Sequence, residues 1–130
     1  MTQTPDYQAT EDTPLVSFDE QSGTLLIKGN SFPENTFDFY KPIILWIEEH
    51  LSRRNDAPFV LNMEVGYYNS SSAKVFINIF SMLETMSDGG KPIVVNWYYD
   101  IEDEDAAEDG KEYRMGMESI SFNIIAKDYS

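Results

Sequence analysis

A strand pattern, a helix pattern and a second strand pattern follow one another between residues 59 and 99, and this succession limits the fold more than any other feature. Phenylalanine, leucine, methionine and valine alternate with other residues over 59–65, as in a half-buried strand. Apolar residues then recur every three or four positions over 75–86, as on one face of a helix. The most apolar strand pattern of the chain follows at 92–99. Two strands joined by a helix of this length are expected to lie parallel, with a right-handed crossover.

An antiparallel hairpin is predicted before this unit. Residues 15–18 and 24–29 have strand composition, and the polar residues 19–23, which include a glycine, form the turn between them. A last strand is predicted at 120–125. Residues 1–12 are polar and contain a proline, which is typical of a mobile or edge-lying tail.

The first helix is predicted over 39–51 from its apolar spacing. Ser31 and Glu34 have the spacing of a capping box, and Pro33 suits the first helical position. Arginines in the segment 52–58 are expected to close the helix, because cations are favourable at its negative end.

Pro42 conflicts with this helix. An interior proline removes a backbone donor and crowds the carbonyl four residues before it, at a cost of about 3 kcal/mol. The helix is therefore expected either to kink at Pro42 or to begin its regular part near Asp38.

These patterns predict an α/β fold in one domain over residues 1–130, with a polar tail at 1–12. The expected sheet is mixed, with about five strands that include the N-terminal hairpin, and it is accompanied by two main helices and a shorter third. Asn62, Glu64 and Asn96 occupy the polar side of the strand alternation. One sheet face is therefore expected to be less covered than in a doubly wound fold.

The shorter third helix is expected within an acidic segment at 100–112, which contains one lysine among many carboxylates. Its early acids suit a helix N-terminus, and Gly110 is expected to end or weaken the helix. A calcium loop is not indicated, because the glycine and the closing glutamate of that pattern do not occur at the required spacing. The segment is either a solvated acidic stretch or a docking surface for a basic partner.

Charge and composition exclude several function classes. The net charge of −14 argues against nucleic acids and anionic membranes as partners, because both are polyanions, and favours proteins with basic or mixed surfaces. The absence of cysteine excludes disulfides and thiolate chemistry, and the presence of a single histidine argues against a metal site. No nucleotide-binding signature, signal sequence or membrane-length apolar run is present, so we expect a cytoplasmic protein without a cofactor.

Three consecutive serines lie where the strand at 59–65 passes into the following helix. Asn69 or Ser70 is expected to be the N-cap, because its side-chain oxygen can accept from an N–H of the first turn. The same position also suits a phosphoacceptor, because a helix N-terminus stabilises anions. Spacing alone leaves both roles open.

Catalytic alternatives have less support. His50 lies among charged residues of the first helix and is interpreted as a surface histidine rather than a catalytic base. A small hydrolase would have to use the acidic segment 100–112 with the aromatic residues 97–99, and one small domain offers little room for a buried acid in a cleft.

Several runs of the sequence resemble one family in the same order, over roughly residues 13–125. These are Gly29-Asn30-Ser31-Phe32-Pro33-Glu34-Asn35, Phe39-Tyr40-Lys41-Pro42 with Trp46, Tyr67-Tyr68-Asn69-Ser70-Ser71-Ser72-Ala73-Lys74, and Trp97-Tyr98-Tyr99 with Glu102-Asp103-Glu104-Asp105. On these runs the chain resembles the SiaC family of bacterial regulatory phosphoproteins. The resemblance implies a fold like that of STAS domains and anti-sigma-factor antagonists.

The resemblance also implies a function and its residues. The family's phosphoacceptor directly follows the asparagine of a Tyr-Phe-Asn-Thr-Ser-Ser motif and is typically threonine, and here this position is Ser70. The implied switch uses a dedicated protein kinase and a PP2C-type phosphatase, and the unphosphorylated form binds and regulates an effector, a diguanylate cyclase in the best-known system. The expected partner surface consists of Tyr67, Tyr68, Asn69, Ser71, Ser72 and Lys74.

Two other functions remain as alternatives at this point. One is an anti-sigma-factor antagonist that acts on a different output, and the other is a constitutive protein-binding module. A constitutive module would bind its partner equally well whatever the state of Ser70.

Overall fold

Six strands and three helices form the fold in the computed structural model, which describes residues 3–53 and 58–129. The elements in chain order are β1 (Asp6–Tyr7), β2 (Leu15–Asp19), β3 (Thr24–Ser31), α1 (Thr36–Arg53), β4 (Phe59–Tyr68), α2 (Ser70–Asp88), β5 (Ile93–Asp100), α3 (Glu104–Arg114) and β6 (Ser121–Lys127). The predicted closure of the first helix at 52–58 falls largely outside the described residues. No helix in the described ranges is both long enough and apolar enough to cross a bilayer.

The sheet is mixed, and its strands lie in sequence order from β1 to β6. The pairs β1–β2 and β2–β3 are antiparallel, and the remaining three pairs are parallel. The α/β class, the hairpin and the parallel pair β4–β5 are thus confirmed. The sixth strand, β1, lies in the segment predicted as a tail, because two residues with no apolar alternation give no strand signal in the sequence.

One face of the sheet carries the helices and the core. Leu61 and Met63 of β4 and Val95 of β5 are fully buried, and they pack with α1 and α2 residues such as Ile47 and Phe80. Burial of each such side chain contributes about 1.5–3 kcal/mol. Strands in sequence order with crossovers of one hand place their helices on the same side, which explains why the core has one layer of helices.

The opposite face is open, as the polar alternation predicted. Asn62, Glu64 and Asn96 are half-buried there. Asn96 donates to the side-chain oxygen of Asn62 at 2.9 Å, and Asn123 donates to Asn96 at the same distance. This amide ladder holds β4, β5 and β6 in register, because a slip by one residue would move all three side chains to the other face.

The start of α1 differs from the prediction. Asn35, not Ser31, caps the helix, because its side-chain oxygen accepts from the N–H of Asp38 at 3.1 Å. Ser31 belongs to β3 and is fully buried. The helix contains Pro42, which is exposed, so water can reach the carbonyl of Asp38 that lacks an intrahelical donor.

The acidic segment forms α3, and Gly110 lies inside this helix instead of ending it. Asp103 caps the helix by accepting from the N–H of Ala106 at 3.0 Å. A Cβ atom at Gly110 would lie 2.6 Å from Cδ1 of Trp97, so the glycine allows α3 to approach β5 closely. The indole N–H of Trp97 donates to the carbonyl of Ala106 at 2.9 Å.

Candidate functional site

The serine cluster lies at the junction of β4 and α2. Asn69 has an extended backbone, with φ −88° and ψ 173°, and its side-chain oxygen accepts from the N–H of Ser72 at 2.9 Å. Of the two residues predicted as the N-cap, Asn69 is the cap, and Ser70 is the first residue of the helix. Backbone N–H groups of this first turn point out of the helix end without intrahelical acceptors.

The three serines have different surroundings. Ser70 and Ser71 are exposed, whereas Ser72 has no exposed surface. Successive helical residues are rotated by about 100°, so Ser70 and Ser71 also point in clearly different directions. Of the three hydroxyls, those of Ser70 and Ser71 are available to another protein in this conformation.

Ser72 belongs to a buried hydroxyl network that joins α2 to β3 and α1. Its hydroxyl donates to the carbonyl of Ser31 at 2.9 Å and lies 2.8 Å from the Ser31 hydroxyl. The Ser31 hydroxyl lies 2.6 Å from that of Tyr40, and burial raises the pKa of Tyr40 to about 12. The N–H of Asn69 also donates to the carbonyl of Ser31, at 3.1 Å. These bonds fix the first turn of α2 in place.

The two tyrosines before the serines point to opposite sides of the sheet, as neighbours in a strand do. Tyr67 is 64% exposed, and its ring meets the edge of the Phe32 ring at a centroid distance of 5.5 Å. Its N–H donates to the side-chain oxygen of Asn30 at 3.0 Å. Tyr67 is therefore an aromatic surface held in a fixed position beside the serines.

Tyr68 instead points under the helices. Its hydroxyl donates to the Asp109 carboxylate at 2.6 Å and lies 3.0 Å from the Tyr113 hydroxyl. Burial, and to a smaller extent the hydrogen bond to Asp109, raises the pKa of Tyr68 far above its ordinary value, so the hydroxyl remains protonated. Tyr68 thus connects the strand that ends at the serines to α3.

The electrostatic surroundings of Ser70 are unusual for so acidic a chain. The first turn of α2 contains no carboxylate, whereas the first turn of α1 contains Asp38 and that of α3 contains Glu104 and Asp105. Lys74, one turn after Ser70, is exposed. The positive end of the α2 dipole is therefore not offset by an acid in its own first turn.

Tyr67, Asn69, Ser70, Ser71 and Lys74 are all at least partly exposed around the start of α2, so most of the predicted partner surface lies together. Tyr68 is half-buried with its hydroxyl bonded inside, and Ser72 is buried. Sequence reasoning missed Ser31, Tyr40, Asp109 and Tyr113, because these residues meet the junction only through tertiary contacts.

The structure also bears on two other candidate sites, a metal site and His50. Residues 3–53 and 58–129 contain no group of three acidic, histidine or cysteine residues placed to hold a metal ion. His50, expected at the surface, is half-buried, and its ring stacks on Trp46 at 4.7 Å between centroids and meets the edge of Phe18 at 4.9 Å.

Comparison with known proteins gives a consistent result. A family model for SiaC family regulatory phosphoproteins matches residues 7–127. An uncharacterized protein of Pseudomonas aeruginosa strain UCBPP-PA14 is 35% identical over 119 residues, which cover 92% of this chain and 93% of that protein.

Solved structures of SiaC from Pseudomonas aeruginosa have the same fold. SiaC in the crystal structure of its complex with the diguanylate cyclase SiaD, which it activates, superposes with a TM-score of 0.87 at 34% identity and covers 93% of this chain and 98% of that chain. Apo-SiaC superposes with a TM-score of 0.81 at 31% identity and covers 97% and 99% of the two chains.

Proposed function

This chain belongs to the SiaC family of regulatory phosphoproteins, and we propose that it is a non-enzymatic binding switch controlled by phosphorylation of Ser70. In this proposal a separate protein kinase phosphorylates Ser70 and a PP2C-type phosphatase reverses the modification. The unphosphorylated form binds and regulates an effector, a diguanylate cyclase, and thereby acts on cyclic di-GMP signalling and biofilm formation.

The observation that carries the proposal is the exposed hydroxyl of Ser70 at the first position of α2, directly after the Asn69 cap. A phosphate there adds about −1.5 to −2 charges and three acceptor oxygens. The helix N-terminus stabilises an anion by about 0.3–1 kcal/mol, and no acid in the first turn opposes it. The modified chain should therefore keep its fold.

The effect of the phosphate is expected at the partner interface. A dianion within a contact surface must lose its hydration or meet a compensating cation, and an uncompensated buried charge costs several kcal/mol. Tyr67, Ser71 and Lys74 are exposed near Ser70 in the sequence, at the start of α2. We propose that these residues contact the effector when Ser70 is unmodified.

The diguanylate cyclase is proposed as effector because SiaC of Pseudomonas aeruginosa, which is similar over nearly the whole chain, activates the diguanylate cyclase SiaD. An anti-sigma-factor antagonist role remains the alternative output. A chain of that type would bind its anti-sigma factor and leave diguanylate cyclase activity unchanged.

Peptide mapping tests the acceptor. The chain is incubated with its kinase and ATP, and the modified residue is located by mass spectrometry in wild type, Ser70→Ala and Ser71→Ala. We expect one phosphate on wild type and on Ser71→Ala, and none on Ser70→Ala. Modification of Ser71 or Ser72 with Ser70 untouched would contradict the assignment.

A further inference from the structure

A groove runs between α2 and the C-terminal end of α3. Its cavity has a volume of about 290 Å³. The apolar part of its lining comes from both sides: Ile77 and Phe80 on α2, Tyr113 on α3, and Met115 and Met117 in the turn that follows. This α2–α3 groove lies on the helical side of the sheet, apart from the open face.

Two of the lining residues are apolar and well exposed. Met115 is 76% exposed and Ile77 is 48% exposed. Methionine is flexible and polarizable, so it adapts to the shape of an incoming side chain. A paired exposure of large apolar side chains at the mouth of a groove is typical of a contact surface for another protein.

The groove and the proposed phosphoacceptor lie on the same stripe of α2. Ile77 and Ser81 follow Ser70 by seven and eleven residues, which corresponds to nearly the same direction around the helix axis. Ser71 is rotated by about 100° from this direction. At 1.5 Å per residue, Ile77 lies about 10 Å along the axis from Ser70.

A partner centred on the groove would therefore cover Ser70. A standard protein interface buries about 800 Å² on each side, which corresponds to a patch that extends about 16 Å from its centre. The axial separation of about 10 Å between Ser70 and Ile77, a lining residue of the groove, is shorter than this distance.

The wall of the groove is also connected to β4, the strand that precedes the serines. The Tyr113 ring packs against Phe80 at a centroid distance of 5.5 Å, and its hydroxyl lies 3.0 Å from that of Tyr68. The position of α3, and hence the width of the groove, is thus fixed from the end of β4.

The charge at the groove indicates the chemistry of the occupant. Glu112 is the lining residue that carries a formal charge, whereas Glu108, one turn before it on the exposed side of α3, is paired with Lys111 at 3.1 Å. Apolar contact at the bottom and a carboxylate at the edge are complementary to an apolar side chain next to a cation.

We propose that the α2–α3 groove binds the effector protein through an apolar side chain flanked by lysine or arginine, and that Ser70 controls this contact from the end of the same stripe. The inference rests on the proposed switch, because it names the surface that the switch obstructs. It extends the expected contact surface from the first turn of α2 to Ile77 and Met115.

Affinity measurements test the groove with the purified diguanylate cyclase SiaD of Pseudomonas aeruginosa as probe. Ile77→Gln and Met115→Gln each make the groove polar at similar volume, and we expect each to weaken binding by about tenfold or more. Leu45→Gln is the matched control, because Leu45 is 43% exposed on α1. The control should bind within about twofold of wild type, since isolated surface substitutions have small effects. Thermal melting of each variant verifies that the fold is retained.

A charge reversal gives a second measurement. Glu112→Lys should slow association with SiaD at low salt, and the difference from wild type should shrink as added salt screens the charge. Unchanged affinity of both groove variants would overturn the proposal, and so would a wild-type chain that fails to bind SiaD.

Failure of the groove and failure of the switch give different results. The same assay includes the chain with phosphoserine incorporated genetically at position 70, which needs no kinase. If the groove variants lose binding and the phosphorylated chain does not, binding at the α2–α3 groove is supported and control by Ser70 phosphorylation is contradicted. If phosphorylation abolishes binding and the groove variants bind normally, the switch stands and the groove is not the contact.

Discussion

The hydroxyl of Tyr68 donates a 2.6 Å hydrogen bond to the carboxylate of Asp109, 41 residues later in the chain. Tyr68 is two residues before Ser70, and Asp109 lies in the middle of α3. The bond therefore joins the proposed switch position to the helix that forms one wall of the α2–α3 groove. The one buried residue of α3 is Gly110, which packs against Trp97.

Tyr68→Phe removes this bond and leaves Asp109 without its donor. Hydrogen bonds to charged groups contribute about 1.5–3 kcal/mol, and partial exposure of Asp109 reduces the loss, so we expect about 1–2 kcal/mol of destabilisation. Unfolding in urea measures the change in the free energy of unfolding. Relative to wild type, backbone hydrogen exchange should accelerate more in α3 than in α1. Tyr67→Phe is the control, because the Tyr67 residue is 64% exposed. Equal destabilisation by the two variants would contradict a stabilising role for the Tyr68–Asp109 hydrogen bond.

Ser72→Ala and Ser71→Ala form a matched pair at neighbouring helix positions. The Ser72 variant removes a hydroxyl that is bonded to Ser31 in the interior, so we expect about 1–3 kcal/mol of destabilisation. The Ser71 variant changes an exposed residue and should stay within about 0.5 kcal/mol of wild type. Equilibrium unfolding in urea compares them, and a larger cost for Ser71→Ala would refute the buried network.

Gly110→Ala should destabilise the protein although alanine is the better helix former. The added Cβ would lie 2.6 Å from Cδ1 of Trp97, which forces α3 away from β5. Overpacking of this kind costs about 1–3 kcal/mol, more than the roughly 1 kcal/mol that alanine gains in helix propensity. Gly89→Ala is the control, because its Cβ would meet ordinary contacts of 3.4 Å or more. Thermal melting should separate the two variants, and a stabilised Gly110→Ala protein would exclude the close approach.

Glu84 forms a contact between α2 and the turn before β6, and this contact should weaken in acid. Its carboxylate accepts from the backbone N–H groups of Ile120, Glu118 and Ser119, in that order of effect, and these bonds hold the pKa of Glu84 below its ordinary value of 4.5. A lowered pKa in the folded state means that the stabilisation is present above the unfolded value and is lost as the pH falls through the folded value. Glu84→Gln should therefore be less stable than wild type at neutral pH, and the difference should shrink below about pH 4.5. Urea midpoints from pH 7 to pH 3 check this, and a constant difference would show that the charge has no role.

The parts of the fold that follow from local patterns were predictable. The alternation in β4 and β5, the apolar stripe of α2 and the choice of Asn69 or Ser70 as its N-cap all depend on residues close together in sequence. The open sheet face followed from the same alternation at Asn62 and Asn96, which bond to each other.

The predictions that were wrong concern residues whose tertiary contacts override a local sequence signal. Ser31 has the spacing of a helix cap, but it bonds instead to Tyr40 and Ser72 in the interior. Gly110 resembles a helix end, but its lack of a side chain allows α3 to pack on Trp97. No local pattern contains these pairings, because the partners lie up to 41 residues apart.

The central claim is that phosphorylation of Ser70 changes binding and leaves the fold intact. Calorimetry compares the affinity of SiaD for the unmodified chain and for the chain with phosphoserine incorporated at position 70, at two salt concentrations, with melting temperatures measured in parallel. We predict a loss of affinity of about tenfold or more at both salt concentrations, because the uncompensated charge acts at short range, and a melting temperature within a few degrees of the unmodified chain. Equal affinity of the two forms, together with a large shift in melting temperature, would contradict the account and indicate a conformational switch instead.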